Sequence, residues 1–384
     1  MTGPGLFERV RGRGVAFVLR RALREVYAPE TGWGRALRPL TAGPWAAFRA
    51  AHDAFRARPA HAPAAWADTF TLFYDLDECP ITYDFVTFLV QAEAMRRQAG
   101  LARLAVVFVE GRKDGLRPEM RAYEEAIDLE SRRWRLHNIC IPLTTLLPAC
   151  RSYAVLPRAQ AAAVHRLCGE RFLPAGYSPA FPLPPQGREV TRLAAEGHEL
   201  KLLASPPRAL AYVESWLASR RAGRKLVTIT LRQSPFMPQR NSNLPAWSAF
   251  ARSLDPRAFF VVIVPDTDSA LTPLPEGLAD FTAFTAACWN IGLRSALYES
   301  AWLNLGSSGG PLALCWFNPK ARYIMFKIVV DDVPQATARF LEERGYVVGA
   351  PPPFLGPYQE WVWEADDLAV IERAFARMAA RLPA

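Results

Sequence analysis

Runs of apolar residues recur along the chain, and polar stretches with helical periodicity separate them. Three such runs in the first half predict buried strands: TFTLFYDL (69–76), LARLAVVFVEG (101–111) and SYAVLP (152–157). Residues 82–98 show the apolar spacing of a helix, and residues 117–136 predict a charged helix. Strands without polar alternation, separated by helices, are typical of a parallel sheet covered on both faces.

A second series of the same kind follows residues 174–187, whose many prolines and glycines exclude regular structure and indicate an inter-domain linker. Its predicted strands are KLVTITL (225–231), RAFFVVIVPDT (257–267), AWLNLG (301–306) and ARYIMFKIVV (321–330). The pattern predicts an α/β fold of two Rossmann-like doubly wound domains that face a cleft. In such sheets, ligands bind beyond the carboxyl ends of the strands.

The chain has 384 residues, of which 51% are hydrophobic, enough to form two domains of ordinary size. We place a basic arm at residues 1–60, a first α/β domain at 61–180 and a second at 181–355. A C-terminal segment at 356–384 completes the chain and contains an amphipathic helix.

The net charge of +9 is concentrated at the N-terminus, because residues 1–60 hold eleven arginines, no lysine and four acidic residues, and so carry +7. Within residues 7–27, apolar side chains alternate with arginines, as in a basic amphipathic helix that lies on an anionic membrane surface. A solvated helix that packs on its own domain gives the same pattern. A nucleic-acid binder would spread basic residues over its folded surface, which argues against that class.

Neither a membrane-spanning apolar run nor a signal peptide is recognisable, so we expect a cytoplasmic protein, peripheral on the inner face of the membrane if the arm binds lipid. The six cysteines and five histidines are scattered without the spacing of metal ligands. We therefore predict neither a metal site nor a disulfide framework.

Polar residues crowd the loop that follows the strand at 225–231. Arg232 comes just past the strand end, where a guanidinium can bind a phosphate through two parallel hydrogen bonds. Ligand contact and capping of the next helix both account for the other polar residues of this loop. They are Gln233, Ser234, Arg240 and Asn241.

Two further loops carry candidate ligand-binding residues. Asp266 directly follows an apolar run, where a carboxylate can bind a hydroxyl or a base edge, and helix capping is the alternative. Residues 306–310, Gly-Ser-Ser-Gly-Gly, interrupt two apolar runs. Their backbone amides could form an anion-binding concavity, and tolerance of close approach and of positive φ would explain the missing side-chain bulk. A plain glycine turn is the alternative.

The candidates of this region for phosphate or ribose binding include four polar residues that precede the small-residue segment. The full set is Asn290, Arg294, Glu299, Asn304, Gly306, Ser307, Ser308, Gly309 and Gly310. The segment is neither a Walker A loop nor a GxGxxG motif, because no lysine follows the glycines and the spacing differs.

The second half resembles the donor-binding half of a GT-B glycosyltransferase and, more loosely, the fucosyltransferases in which a strand ends in His-x-Arg. The matching residues here are 230–232, Thr-Leu-Arg, so that the arginine aligns and a threonine replaces the histidine. The resemblance implies that Arg232 and residues 306–310 bind the diphosphate of a nucleotide sugar and that Glu299 holds the nucleoside. It covers residues 225–312.

The resemblance also implies that the C-terminal helix of 356–384 crosses back to the first domain. It implies a metal-independent glycosyltransferase, without a separate cofactor, that moves a sugar from a nucleotide-diphosphate donor, GDP-sugars included, to a cell-surface glycan or lipid-linked acceptor. Arg232 would stabilise the leaving diphosphate, and a base in the first domain would deprotonate the acceptor. Candidates for this base are Asp75, Asp77, Glu110 and His137.

Asp75 and Asp77 follow a buried strand directly, and capping of the helix near residue 82 is their alternative role. Because the family's histidine is replaced and no base stands out, a catalytically inert nucleotide- or sugar-binding protein on the same scaffold is a rival hypothesis. Turnover of a sugar donor would exclude this rival.

Overall fold

The computed structural model describes residues 22–26, 29, 31–56, 64–184 and 188–383, and the chain divides into two compact units. Unit 1 comprises Met1–Pro80, Arg96–Leu129 and Arg151–Pro185, and unit 2 comprises Ile81–Met95, Glu130–Cys150 and Gln186–Ala384. The division is therefore less sequential than predicted, because two segments of the first half belong with unit 2. The predicted boundary at 180/181 lies close to the final change of unit at 185/186.

The strands and helices alternate along the chain. The strands are β1 (Thr69–Asp75), β2 (Arg103–Val109), β3 (Cys150–Leu156), β4 (Phe172–Leu173), β5 (Lys225–Thr230), β6 (Phe259–Val264), β7 (Thr282–Ala283), β8 (Leu303–Ser307), β9 (Tyr323–Phe326) and β10 (Gln359–Trp361). The helices are α1 (Gly32–Arg56), α2 (Ala64–Ala67), α3 (Phe85–Gln98), α4 (Arg121–Ala126), α5 (Leu129–Arg135), α6 (Ile141–Leu143), α7 (Arg158–Cys168), α8 (Glu189–Ala195), α9 (Pro207–Arg221), α10 (Leu244–Ser253), α11 (Ala286–Trp289), α12 (Ile291–Ser300), α13 (Ala313–Trp316), α14 (Ala338–Glu343) and α15 (Leu368–Ala379).

Unit 1 contains a four-stranded sheet in the order β3-β2-β1-β4, in which β1 pairs in parallel with β2 and β4. Every residue of β1 is buried, and β2 is buried after its first residue. These are the two longest apolar runs of the first half, and continuous burial is expected of strands with both faces covered. The predicted helix over 82–98 is α3.

Unit 2 contains a six-stranded parallel sheet in the order β10-β9-β8-β5-β6-β7. Counted from β7, this is the order 3-2-1-4-5-6 of doubly wound folds. The strand order reverses between β5 and β8, so the loops that leave their carboxyl ends diverge and open a crevice. This switch point is where doubly wound sheets bind ligands.

Apolar helix faces cover both sides of the second sheet. On one side, Ile371 and Met378 of α15 and Phe250 of α10 cluster with Val227 and Leu305 of the sheet. The stripe on α15 recurs at helical spacing and packs within unit 2. The apolar face of this helix thus covers the second sheet, and the crossing of the C-terminal segment back to the first domain stays a prediction.

The charged helix predicted over 117–136 is divided in the structure. It forms two helices, α4 and α5, because the backbone of Ile127 is extended. A π-helical turn, Leu136–Cys140, follows α5 directly. Apart from 22–26, the arm helix predicted at 7–27 lies outside the described residues. No helix in the described part of the chain combines the length and apolar character that crossing a bilayer requires.

Candidate functional site

Two of the predicted ligand-binding loops meet at the carboxyl edge of the second sheet. Residues 231–243 follow β5, and the segment 306–310 begins at the end of β8. Arg240 Nη2 donates to Ser308 O (3.2 Å), and the hydroxyl groups of Ser307 and Ser242 hydrogen-bond each other (2.9 Å). Since β5 and β8 flank the switch point, the structure brings these loops together where the strand order favours a ligand.

The loop after β5 is wrapped around the guanidinium of Arg232. Its Nη1 donates to Met237 O (3.0 Å) and to Asn241 Oδ1, and its Nη2 donates to Phe236 O (2.7 Å). Its main chain exchanges hydrogen bonds with Ser242, whose Oγ accepts from Arg232 N (2.9 Å). Arg232 therefore shapes the loop in which it lies.

The remaining predicted residues of this loop complete the same network. Asp266 Oδ2 accepts from Gln233 N (2.9 Å), and the Asn241 side chain exchanges hydrogen bonds with the main chain of Ser234 at 3.0 and 3.1 Å. Met237 has φ of 56°, a left-handed conformation that costs energy in any residue but glycine. Such strain persists where surrounding contacts fix the backbone, and it is frequent at ligand sites.

Close packing explains two of the three glycines in the segment 306–310. A Cβ atom at Gly306 would lie 2.6 Å from Thr230 O of β5, and one at Gly310 would lie 2.7 Å from the Tyr83 ring. At Gly309 the nearest atom would be at an ordinary 3.5 Å. None of the three has a positive φ. The predicted close approach is therefore confirmed at Gly306, by a strand, and at Gly310, by a ring, whereas the positive φ predicted with it is wrong.

Three arginines lie close enough to one another for their charges to interact. We call Arg135, Arg232 and Arg240 the arginine cluster. Burial lowers the pKa of Arg232 to about 10; the charge of Arg240 and, more weakly, that of Arg135 contribute, while Asp266 opposes them. A Cβ at Gly309 would lie 3.9 Å from Arg232 Cδ, so the cluster adjoins the small-residue segment.

The guanidinium of Arg240 is only partly hydrogen-bonded. Burial lowers its pKa, with the charge of Asp84 acting against the shift. Its Nε atom is buried and has no hydrogen-bond partner among the described residues. No member of the arginine cluster forms an ion pair with a described carboxylate. All three arginines are half-buried, and partial burial of a cation costs free energy unless an anion accompanies it, so the cluster is suited to an anionic ligand.

Asp366 anchors the site, and sequence reasoning missed it. This buried carboxylate precedes α15, and its Oδ2 accepts from Ser307 Oγ (2.7 Å), Asn243 N (2.9 Å) and Trp247 Nε1 (2.9 Å). It thereby fixes the loop after β5 to the end of β8. The contacts join residues more than 50 positions apart in sequence, so no local pattern indicates them.

Lys327 also escaped prediction. It follows β9, and its Nζ donates to Asn241 O (2.8 Å) and lies 3.5 Å from Asp366 Oδ1. Its φ of 58° is a second strained backbone at this edge. A lysine directly after a buried strand is the one local signal that could have identified it.

Arg294, a predicted site residue, is 1% exposed. Its Nε donates to Ala287 O (2.7 Å) and its Nη1 to Tyr298 Oη (3.1 Å), which hydrogen-bonds Thr230 Oγ1 (2.8 Å). The threonine that replaces the family's histidine thus belongs to this buried chain of hydrogen bonds. Burial raises the pKa of Tyr83 to about 12, against the opposing charge of Arg294, so its neutral ring packs on Gly310.

Three predicted residues do not join the site. Asn290 caps α12, its Oδ1 accepting from Leu293 N (3.0 Å). Asn304 is buried inside β8 and bonds Thr228 of β5 (2.6 Å). Glu299 lines a cavity with the first residue of β5, at the amino edge of the sheet. It therefore lies at the opposite end of the strands from the arginine cluster, contrary to the role the resemblance implied.

The structure gives Asp75 a structural role in place of the predicted catalytic one. Arg158 donates to both carboxylate oxygens (2.8 and 2.9 Å), and Tyr177 Oη donates to Oδ2 (2.8 Å). Burial, together with the charge of Asp75, raises the pKa of Tyr177. With both oxygens held by its own unit, the fully buried Asp75 is not placed to accept a proton from an acceptor hydroxyl.

The other candidate bases differ in setting. Asp77 is buried; its Oδ1 accepts from Arg112 N (3.0 Å), and its Oδ2 lies 3.3 Å from Arg112 Nε. Glu110 is exposed after β2. His137 is exposed on the π-helical turn, which belongs to unit 2 rather than to the predicted first domain. No group of three or more metal-ligating side chains occurs among the described residues.

The strand order of unit 2 is that of a doubly wound α/β sheet, and the arginine cluster lies at its carboxyl edge. No protein-family model matches the chain, and no curated protein matches it. Among solved structures it is similar to a glycosyl transferase family 9 protein from Veillonella parvula, with 9% identity and a TM-score of 0.41 over 81% of this chain and 97% of that one.

Two further similar structures come from E. coli. The ADP-heptose LPS heptosyltransferase II has 10% identity and a TM-score of 0.46, over 81% of this chain and 99% of that one. The heptosyltransferase WaaC with ADP has 11% identity and a TM-score of 0.39, over the same shares. All three are glycosyltransferases. Because these TM-scores are below 0.5, we assign the fold from the strand order and argue function from the arginine cluster.

Proposed function

We propose that this protein is a glycosyltransferase whose second unit binds the diphosphate of a nucleotide-sugar donor at the carboxyl edge of the six-stranded sheet. The observation that carries the proposal is the arginine cluster at the switch point, which has no ion-pair partner among the described carboxylates. A guanidinium group can donate two parallel hydrogen bonds to a phosphate group. Doubly wound sheets bind their ligands at the switch point.

The chemistry of sugar transfer fits such a cluster. The bond between the anomeric carbon and the diphosphate oxygen breaks, the acceptor hydroxyl forms the new bond, and its proton passes to a base. Negative charge therefore grows on the departing diphosphate. Preorganised cations stabilise that charge without rearranging during the reaction. We assign this role to Arg232 and Arg240, with the buried Arg294 adding positive potential.

Arg240 is the sharper test, because Arg232 also holds its own loop together. Arg240→Gln removes the charge and keeps a polar side chain of similar reach. Loss of a charged hydrogen bond is worth about 1.5–3 kcal/mol, so we expect a nucleoside diphosphate to bind roughly 10- to 150-fold more weakly. Isothermal titration calorimetry with GDP, UDP, ADP and dTDP measures this loss.

The matched control is Arg257→Gln in the same unit, an exposed arginine that contacts only its neighbour Asp255 in the described structure. It should leave nucleotide affinity unchanged. If none of the four nucleotides binds the wild-type protein at millimolar concentration, or if the two variants lose affinity equally, the proposed donor site is wrong.

The finer features of the activity are parts of the same proposal. We propose a cell-surface glycan or lipid-linked acceptor and a cytoplasmic location, peripheral on the membrane through residues 7–27. We also propose that transfer needs no divalent metal, because the arginine cluster supplies the positive charge. Donor turnover should then persist in excess EDTA, and its abolition, with recovery on adding Mg²⁺, would refute metal independence.

One observation favours a second candidate, an inert nucleotide-binding protein. The carboxylate best placed in sequence to act as a base, Asp75, is closed off by Arg158 and Tyr177. Such a protein would bind the nucleotide at the arginine cluster but release none from a sugar donor. Detecting nucleotide release that depends on an added acceptor would exclude it.

A further inference from the structure

A second charged site lies at the amino edge of the six-stranded sheet. It is a cavity of about 810 Å³, bordered by Lys225 and Gln359, the first residues of β5 and β10. Arg232 follows the other end of β5, and a six-residue strand spans about 20 Å. The cavity therefore lies apart from the arginine cluster. Its volume is in the range of sites that bind small molecules, about 300–1,000 Å³.

The charge of this cavity is strongly one-sided. Six cationic side chains and one carboxylate line it: Lys201, Arg221, Arg224, Lys225, Lys320, Arg322 and Glu299. Glu299 already pairs with Lys320 at 2.8 Å and accepts from Asn318 Nδ2 at 3.0 Å. None of the other five cations forms an ion pair with a described carboxylate. The cavity thus lacks the negative charge that would balance it.

The lysines are unevenly placed. The whole chain has five lysines against 41 arginines, and three of the five line this cavity: Lys201, Lys225 and Lys320. A lysine ammonium is a compact point charge that binds phosphate without the planar geometry of arginine. The two remaining lysines are Lys327 at the donor edge and Lys113 in unit 1.

Several of these cations are held in place by surrounding groups. Lys201 Nζ donates to Trp316 O and Gln359 Oε1, and Gln359 Nε2 is itself fixed by Cys315 O (2.9 Å) and other carbonyl groups. Lys225 Nζ lies 4.8 Å above the centre of the Trp302 ring. Burial also lowers the pKa of Lys201 to about 8, a shift that a bound anion would oppose.

We infer that this cavity binds a phosphate-bearing anion, either a soluble di- or polyphosphate or the headgroup of an anionic lipid, at a site separate from the donor site. The ligand would supply the counter-charge that the described side chains lack. Fixed cations make such binding less costly, because less side-chain freedom is lost when the ligand arrives.

The scarcity of lysine provides a direct test with pyrophosphate as the probe. Reductive methylation with ¹³C-formaldehyde keeps the lysine charge and gives a small set of methyl signals that report on every lysine. Each signal is assigned by a single Lys→Gln variant. We expect pyrophosphate to shift the signals of Lys201, Lys225 and Lys320 with one common Kd, and to raise the pH midpoint of the Lys201 signal.

The two lysines outside the cavity separate this inference from the proposed function. Lys327 reports on pyrophosphate at the donor edge, and Lys113, which pairs with Glu124 at 3.0 Å, should not respond. In the unmethylated protein, calorimetric titration with pyrophosphate should show two binding events, one at the cavity and one at the donor site. Arg322→Gln should weaken the first about tenfold and leave the second, which Arg240→Gln weakens, unchanged. Failure at either site is thus seen independently.

Vesicles distinguish the two sources of the phosphate. Binding to phosphatidylglycerol vesicles but not phosphatidylcholine vesicles, weakened by Arg322→Gln, identifies a lipid headgroup; pyrophosphate binding alone identifies a soluble ligand. If the three cavity lysines respond to neither probe, or if they respond equally in Arg322→Gln and the wild type, the cavity is a solvated basic surface and the inference is wrong.

Discussion

Gly306→Ala tests whether strand packing dictates the small-residue segment. Gly306 pairs in register with Thr230 between the two strands that flank the switch point. An added Cβ would lie 2.6 Å from Thr230 O, 3.2 Å from Thr230 Cβ and 3.1 Å from Leu312 Cδ1. Non-bonded carbons prefer about 3.5–4.0 Å, so the two carbon contacts are too short, and the contact with the carbonyl oxygen of Thr230 is shorter still.

The expected cost follows from which atoms must move. Leu312 can rotate, but Thr230 O belongs to the main chain of a central strand and cannot turn aside alone. The two strands would have to separate by several tenths of an ångström. We expect Gly306→Ala to lower the free energy of unfolding by about 3 kcal/mol, at the upper end of the range for overpacked cores.

Urea denaturation followed by tryptophan fluorescence measures this change, and Gly309→Ala is the matched control. At Gly309 the new methyl group would meet its nearest atom at 3.5 Å, so we expect a change within about 0.5 kcal/mol. Equal stability of the two variants would refute the explanation from strand packing. Gly306→Ala should also weaken nucleotide binding, because Ser308 O, two residues on, bonds Arg240.

Three further predictions concern charged side chains. Asp366→Asn should lower the free energy of unfolding by about 3 kcal/mol, because it removes the buried carboxylate that pairs with Lys327. The control Asp280→Asn, at the exposed pair with Arg252, should change this free energy by under about 0.5 kcal/mol in the same urea assay. Arg158→Gln should cost about 3–5 kcal/mol by leaving the carboxylate of Asp75 buried without its cation, and a loss under about 1 kcal/mol would contradict the role given to this pair. Burial lowers the pKa of Lys201 from 10.5 to about 8, so between these values the unfolded chain binds more protons than the folded one. Stability should therefore rise from pH 8 to 10.5 in the wild type but less so in Lys201→Met, and parallel pH profiles would refute this.

The long apolar runs were sufficient to predict the central strands. Residues 69–76 gave β1 and residues 225–231 gave β5 to within one residue, because burial on both faces demands an uninterrupted apolar run. The edge strands β4, β7 and β10 were not predicted. Each has only two or three residues, and their pairing depends on a neighbouring strand rather than on their own pattern.

Some residues of the candidate site could be predicted from local sequence, and others could not. Arg232 and the segment 306–310 could be predicted, because the carboxyl ends of adjacent parallel strands meet at one edge. Asp366 and Lys327 could not, since they reach the site only through tertiary packing. Glu299 was misplaced because it precedes β8 in sequence, and residues before a parallel strand lie at the edge opposite those that follow it.

The lengths of the edge strands determine where this protein is open to aggregation. β7 and β10, at its two margins, have two and three residues, so little unpaired backbone is offered to another chain. Short margins of this kind resist the edge-to-edge joining that starts fibrils. In the described part of the smaller sheet, one edge strand is the two-residue β4 and the other is the seven-residue β3. We expect amyloid growth to begin from β3, because it offers the longer unpaired edge.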